Sequence, residues 1–482
     1  MELKKNDELT AKVNSISSEG KGITRTEGGF VIFSSNTVPG DIVKLKIRKI
    51  KKNYGEADLI EILKKSDNRA EPRCRHFGIC GGCKMQNIDY SLQLRIKSEI
   101  VKSAFEKIGG FGNITVEPAI ASANSYFYRN KMEFSFSEDK WLDKKTEENK
   151  KNFALGLHIP KFHSKILDII ECYLQSELSS RIVNFTRDFF RSGNISIYSI
   201  KTHSGFLRFL IIRQSYYTED IMVNLITGYH EKEIIKEYAA LLRNQFPEVT
   251  TFINSVSKKK AQVASGDETY TIYGKGCIEE NIKTENKNFS FEISPFSFFQ
   301  TNTKQAEKIY STAVNFAELT KIDTVFDLYS GTGSISVFIS DYVNKVIGAE
   351  AIEESVEDAR KNAIRNNITN CEFIKTDIRD FLKRTNFKET DFLEFGGKRF
   401  EKDRIKIILD PPRSGLHPEI CRILSETNFS KIIYISCNPS TQARDIKIIC
   451  ENGNYKIDKM QPVDMFPQTY HIENVVSLKR AL

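Results

Sequence analysis

No segment of this 482-residue chain approaches the roughly 18 continuous apolar residues that a membrane helix needs. Its first residues, MELKKNDELTAKV, are charged and alternating, without the apolar stretch or small-residue cleavage site of a secretory signal. A soluble, cytoplasmic protein without membrane contact is therefore expected. Thiols stay reduced in that compartment, so the nine cysteines are not read as disulfides. Net charge is also small, +8 over the whole chain, but it is unevenly placed. Residues 1–110 hold 21 Lys and Arg against 14 Asp and Glu. A local surplus of this kind suits a polyanion, because each neutralised phosphate releases a condensed counterion. A solvated Lys-rich face without a partner has the same composition.

Single hydrophobic cores stop growing beyond about 250–300 residues, so the length calls for two or three domains. Residues 1–65 alternate Val, Ile, Leu and Phe at period two, punctuated by glycines and a Pro-Gly-Asp turn. That pattern predicts a small antiparallel barrel of the oligonucleotide-binding type. The stretch resembles the TRAM domain of RNA-modifying enzymes, in which Lys44, Lys46, Arg48, Lys49, Lys51 and Lys52 would meet phosphates. Residues 66–279 read as an α+β middle section opening on clustered cysteines. Within it, Leu94, Ile96, Val101, Phe105 and Ile108 fall at helical spacing over 90–110, a helix expected to end at Gly109-Gly110 and pack on the next domain. The charge run KKTEENKKN at 144–152 reads as an exposed loop.

From about 280 to 482 the pattern becomes alternating β and α, predicting an open, mostly parallel, Rossmann-like sheet with ligands at the strands' carboxyl ends. The strand end DLYSGTGSIS carries a Gly331-Thr332-Gly333 loop that lets a ligand approach the backbone. Nineteen residues on, Glu350 ends the strand KVIGAE, where a carboxylate accepts from ribose hydroxyls. A dinucleotide would satisfy this too. Asp327, Glu350, Asp377 and Asp410 together place an acid after each of four strands, a run that resembles S-adenosylmethionine-dependent methyltransferases. That resemblance implies Tyr329 and the glycine loop at the methionine end, Glu350 on the ribose, Asp377 near the adenine and Asp410 where cofactor and base meet. Asp377 in DIRD also suits a helix cap.

Asp410-Pro411-Pro412-Arg413 lacks the aromatic residue with which amino-group methyltransferases hold a base. The next strand instead ends in Ser436-Cys437-Asn438-Pro439, a thiol on the same rim. Carbon 5 of uracil is too weak a nucleophile to take a methyl unaided. A thiolate adding to carbon 6 makes carbon 5 carbanionic, and a base later removes its proton. Cys437 must then be partly thiolate, promoted by positive charge or backbone N–H groups. Glu473 in HIENVV is the candidate base. A lone strand-end cysteine is more often a small buried apolar residue.

The ordered set DLYSGTGS, DPPRSGL, SCNPST and HIENV, with FFQTNTKQAE before it, resembles the RNA uridine-5-methyltransferase family. The resemblance implies that Gln300, Tyr329, Glu350 and Asp410 contact S-adenosylmethionine, Cys437 attacks the base and Glu473 takes the proton. His471 is read as structural. Ser330 and Ser334 depart from the Cys and Asn that many relatives carry, so altered loop contacts are expected.

Cys74, Cys80 and Cys83 lie within ten residues among Gly78, Gly81 and Gly82, and Cys172 is the best fourth partner. Thiolate ligation suits iron–sulfur or zinc. The family resemblance of CRHFGICGGC implies a [4Fe-4S] cluster, with zinc on three Cys and His76 or Cys172 as the alternative. A TRAM barrel combined with such a centre implies 23S rRNA as partner, the tRNA T-loop being the alternative, and a monomer is expected. An inactive RNA-binding relative and a cytosine-5 enzyme are the competing readings. Cys437, Glu473 and Glu350 speak against the first, and the SCNP context of Cys437 against the second.

Overall fold

A computed structural model describes residues 3–17, 19–141, 153–160, 162–384, 392–395, 398–427 and 429–481, so the 144–152 charge run lies outside the described residues. The chain begins with β1 (Glu8–Ile16), β2 (Gly22–Arg25), β3 (Val31–Ser34), β4 (Ile42–Ile50) and β5 (Tyr54–Lys64). These close into a barrel in the order β1-β2-β3-β5-β4, antiparallel except for β3 with β5. Alternation decides the faces: Val43, Leu45 and Ile47 of β4 are fully buried, with Val13 and Ile32 opposite, while Lys44, Lys46 and Arg48 point outward. Part of the outward charge is already neutralised. Lys44 pairs with Glu8 at 2.8 Å and Arg48 pairs with Glu56.

Helix α1 (Tyr90–Ala104) is capped by Asp89, whose carboxylate accepts from the Ser91 amide, and ends in a π-type turn, Phe105–Gly109. Its buried face is Gln93, Ile96, Lys97, Val101, Ala104 and Phe105, whereas Ile108 is 44% exposed. The wide turn carries the last residues out of the 3.6-residue phase, which is why Ile108 misses the core. Val101, Ala104 and Phe105 pack with Ala443 and Ile446 of the last domain, as the spacing predicts.

The middle section contains β6 (Lys131–Ser137), β7 (Ala154–Ile159), β8 (Phe162–Asp168), α2 (Glu177–Ser192), β9 (Leu207–Gln214), β10 (Ile221–Thr227), α3 (Lys232–Gln245), β11 (Thr251–Val256) and β12 (Glu268–Tyr273). Its seven-stranded sheet runs β12-β11-β10-β9-β6-β7-β8, and α3 bridges the one parallel pair, β10 and β11. Ile182, Phe190, Tyr238 and Leu242 of the two helices fill one face. Met222 and Ile253 on the sheet instead join the core of the last domain through the hairpin β13 (Ile278–Lys283) and β14 (Asn288–Ile293).

The last unit comprises α4 (Thr303–Ala317), β15 (Thr324–Leu328), α5 (Ser334–Ile339), β16 (Lys345–Glu350), α6 (Glu353–Arg365), β17 (Cys371–Lys375), α7 (Ile378–Arg384), a hairpin of β18 (Phe392–Phe395) with β19 (Lys398–Glu401), β20 (Ile405–Leu409), α8 (Pro418–Ser425), β21 (Lys431–Ser436), α9 (Pro439–Cys450), β22 (Tyr455–Val463) and β23 (Glu473–Arg480). The main sheet runs β17-β16-β15-β20-β21-β23-β22, with the first five strands parallel and β23 antiparallel to both neighbours. Helices α4, α5 and α6 cover one face, and α1, α7, α8 and α9 cover the other. The strand order reverses beside β15, so its carboxyl end opens a crevice between β16 and β20.

Candidate active site

After β15 the chain turns through three left-handed residues, Tyr329 at φ +71°, Gly331 at +52° and Gly333 at +77°. A Cβ on Gly333 would lie 2.9 Å from the Ala359 Cβ and 3.0 Å from the Phe373 ring, so only glycine fits there. One on Gly331 would meet nothing within 4 Å, which leaves that backbone open to a ligand. Glu350 holds the loop: it accepts from the Gly331 amide at 3.1 Å and from the Ala351 and Ile352 amides at 2.8 and 3.0 Å. Ser334, the departing residue, shares a hydrogen bond of 2.9 Å with Tyr310.

Asp327 is fully buried and accepts from the Ser336 hydroxyl at 2.6 Å through one oxygen. Its other oxygen has no partner among the described residues, and burial pushes its pKa up to about 6. Asp377 behaves as a cap, accepting from the Arg379 and Asp380 amides at 2.9 and 3.3 Å with a side chain 54% exposed. It still lies close enough to Tyr329 to add to the burial that pushes this hydroxyl up.

The chemistry-bearing rim is made by β20, β21 and β23. Antiparallel register pairs Ser436 with Asn474, the neighbours of Cys437 and Glu473, and Glu473 is near enough to raise the Cys437 thiol. Asp410 follows β20 beside them. Gln300 brings its amide 3.5 Å from the Asp410 carboxylate. Burial, followed by Asp327, pushes Asp410 up to about 7, and burial, followed by Asp410, pushes Glu473 well above the usual carboxylate range. Cys437 is driven up to about 12 by burial, then Glu473 and Asp410, against a weaker opposing pull from Arg413. The positive charge or backbone N–H groups expected to favour the thiolate are therefore outweighed by burial and two acids.

Gln300 is placed from the middle section. Asn130 donates its side-chain amide to the Gln300 carbonyl at 2.8 Å and its backbone N–H to Thr301 at 2.8 Å. Arg213 donates to the Pro295 and Ser297 carbonyls at 3.2 and 2.5 Å. The Arg413 carbonyl accepts from Asn438 at 3.2 Å and Thr441 at 3.3 Å, tying the DPPR turn to the start of α9. Tyr310 was not legible as a site residue: an aromatic in an amphipathic helix reads as core, yet its hydroxyl lies within electrostatic reach of Asp410, Asp327 and Glu473. His471 packs its ring 4.3 Å from that of Tyr470, and burial pushes it down to about 4. A groove of about 670 Å³ is bordered by Lys84, Arg129, Lys131, Arg213, Phe298 and Tyr470, and Thr301, next to Gln300, also lines it. Phe298 is 65% exposed in it.

Cys74, Cys80, Cys83 and Cys172 all border one cavity, closed by Phe77, Leu157, Ile169 and Leu174. All four are free thiols. Burial pushes each upward, Cys83 to about 12, and the cysteines reinforce one another. Among the described residues no three His, Cys, Asp or Glu side chains meet in an arrangement fit for a single metal ion.

Residues 174–481 match the tRNA (uracil-5-)-methyltransferase family and residues 2–60 match the TRAM domain. An uncharacterized RNA methyltransferase of Chlorobaculum tepidum is 39% identical over 462 residues, 95% of this chain and 92% of its own. One of Bacteroides thetaiotaomicron is 38% identical over 471 residues, covering 96% and 100%. Among solved structures, the Pyrococcus abyssi tRNA (uracil-54, C5)-methyltransferase in complex with S-adenosyl-L-homocysteine is 26% identical, with a TM-score of 0.72 over 98% of this chain and 100% of that one. With an S-adenosylmethionine-dependent methyltransferase fold behind an amino-terminal TRAM barrel, and relatives aligned along nearly its full length, the chain belongs to the tRNA (uracil-5-)-methyltransferase family and is an RNA methyltransferase.

Proposed function

We propose that this enzyme methylates carbon 5 of a uridine in 23S rRNA through a covalent bond between Cys437 and carbon 6 of the base. The observation that carries the reading is the register of β21 against β23, which faces a thiol with a buried carboxylate beside Asp410. Gln300, Tyr329, Glu350, Asp377 and Asp410 would hold S-adenosylmethionine. The open backbone at Gly331, the unpartnered oxygen of Asp327 and the amide-anchored Glu350 suit a polar, cationic ligand in this crevice. Bound there, the cofactor supplies an electrophilic methyl on a positively charged sulfur, and a cation beside Asp410 favours the carboxylate form.

Cys437 gives its proton to solvent and its sulfur adds to carbon 6 of the uracil, leaving an enolate with carbanion character at carbon 5. Carbon 5 takes the methyl group. Glu473, as carboxylate, then removes the carbon 5 proton, the double bond re-forms and the Cys437 sulfur departs. The raised affinity of Glu473 for protons makes it a stronger base once ionised, and its buried position keeps water from competing. A uridine in folded RNA must leave its stack to reach this rim, at a cost of a few kcal/mol. The basic groove with exposed Phe298 offers compensating phosphate and stacking contacts.

We infer further that Cys74, Cys80, Cys83 and Cys172 hold a [4Fe-4S] cluster. Four half-buried thiols around one cavity, otherwise lined by Phe77, Leu157, Ile169 and Leu174, would be bound as thiolates by a cationic centre. They border a shared cavity, and all-cysteine ligation suits an iron–sulfur centre.

Labelled cofactor offered with rRNA and tRNA separately, followed by mapping of the product, tests the main reading. 5-Methyluridine in 23S rRNA is expected. Label in the tRNA T-loop alone would replace the substrate, and no 5-methyluridine in either RNA would overturn the chemistry. Anaerobic purification should give a brown protein containing iron and sulfide; a colourless zinc protein would refute the cluster.

A further inference from the structure

The segment 464–472 between β22 and β23 leads directly into Glu473, and within it Gln468 is a non-glycine residue at φ +67°. Such a conformation persists only where the surroundings over-determine it. Here they come from four separate stretches of chain. Gln93 of α1 accepts from the Gln468 amide at 3.1 Å and donates to the Gln468 side-chain oxygen at 3.0 Å, with further contacts to the Met85 and Ile88 carbonyls at 2.9 Å. One turn later Lys97, fully buried, donates to Asp464 at 2.5 Å and to the Phe466 carbonyl at 3.0 Å. Tyr90 reaches the other Asp464 oxygen at 3.0 Å. The Lys84 and Met85 amides, next to Cys83, both donate to the Gln468 carbonyl, at 2.9 and 3.0 Å. Asn302 and Gln305 at the start of α4 hold the Met465 and Asp464 carbonyls at 3.1 and 3.0 Å. Tyr128 donates to the Pro467 carbonyl at 3.0 Å.

Burying Lys97, Asp464, Gln93 and Gln468 together is a poor way to stabilise a fold, since apolar residues of similar shape generally serve as well or better. What the arrangement does supply is a single geometry for a segment that would otherwise be a surface loop. We propose that Gln93, Lys97, Asp464 and Gln468 are positioning residues that set the Glu473 carboxylate for removal of the carbon 5 proton. The inference rests on the reading of Glu473 as the base. It has a specific consequence: loosening the bracket delays the step after methyl transfer, because the proton must leave before the sulfur does. The methylated, covalently bound intermediate then accumulates.

The experiment uses Gln93→Met, which removes the side-chain contacts to Gln468, beside Glu473→Gln. Gln468→Gly is the second variant: glycine suits φ +67°, so the fold is kept while the side-chain bond to Gln93 is lost. Each is assayed with RNA and labelled cofactor for kcat, for KM and for label retained on protein–RNA complexes that survive denaturation. The bracket predicts kcat lowered at least about tenfold with KM little changed, and labelled adduct accumulating as in Glu473→Gln. Unchanged kcat, or a fall in kcat without labelled adduct, in the Gln93 and Gln468 variants while Glu473→Gln accumulates adduct, overturns the bracket alone. Normal turnover by Glu473→Gln overturns the base assignment and the bracket's role with it.

Discussion

Two loops of the methyltransferase domain meet at one rim and are held in different ways. The loop after β15 is fixed by its own backbone: three left-handed residues, a glycine pressed against Ala359 and Phe373, and a carboxylate from the adjacent strand. The segment 464–472 is fixed by side chains remote in sequence, from Tyr90, Gln93 and Lys97 to Tyr128, Asn302 and Gln305. The first is a local solution, portable with its strand–turn–helix unit. The second exists only once helix α1 has docked on the last domain. The glycine loop is therefore set within one supersecondary unit, whereas Gln300, held by Asn130, and the segment leading into Glu473 depend on the assembly of the whole chain.

The largest effect expected comes from the chemistry that the two loops frame. Cys437→Ala should lower methyl transfer by at least about 1,000-fold, as removal of a covalent nucleophile does, while cofactor binding measured by calorimetry is kept. Turnover near that of the wild type would remove Cys437 as nucleophile. Next comes the remote support. Lys97→Met leaves the Asp464 carboxylate buried without its cation and should cost about 3–5 kcal/mol in urea unfolding. A loss below about 1 kcal/mol would mean that Asp464 finds other partners and that the second loop is less dependent on α1 than its contacts imply.

The same contrast explains what was legible in the sequence. Gly331-Thr332-Gly333, Glu350 and Asp410 stand at strand ends in a β–α pattern, so periodicity located the open parallel sheet and the rim on which these residues sit. Cys437 and Glu473 became visible through their motifs, and their facing positions follow from antiparallel pairing of β21 and β23, which no local pattern records. Lys97 and Gln93 were passed over because polar residues in an amphipathic helix are read as solvent-facing, yet both are buried. Their partners Gln468 and Asp464 lie more than 360 residues away. Ile108 erred the other way, since a π-type turn is invisible to a 3.6-residue count. Cys437 was expected beside positive charge or backbone N–H groups; burial raises it first, and Glu473 and Asp410, which add to it, come together only in the folded sheet.

Smaller effects should follow from changes in the local loop. Gly333→Ala adds both a left-handed side chain and a contact at 2.9 Å, and should cost about 1–3 kcal/mol with weakened cofactor binding. Gly331→Ala has open space around it and should cost only about 1 kcal/mol, from conformation alone. Thermal melting and cofactor titration check both. Equal losses at the two positions would show that packing against Ala359 and Phe373 does not hold this loop.

A further effect is a matter of pH at the rim, beside Asp410 and Asp327. Asp410 and Asp327 titrate near 7 and near 6 in the folded protein, against about 3.8 when unfolded. The native state therefore keeps protons that the unfolded chain has released, and stability falls with rising pH across that interval. Their contribution is fully present below about pH 4 and is lost as pH rises through 6 and 7. Asp410→Asn removes its share, so the variant should melt close to the wild type at pH 4 and progressively above it toward pH 8. A gap that stays constant with pH would mean that Asp410 is ionised throughout and already neutralised by a neighbour. The same variant withdraws one of the acids that raise the Cys437 thiol, so alkylation of Cys437 at a fixed alkaline pH should quicken. Unchanged alkylation would assign the raised thiol to burial and Glu473 alone, placing its control on the remotely supported loop.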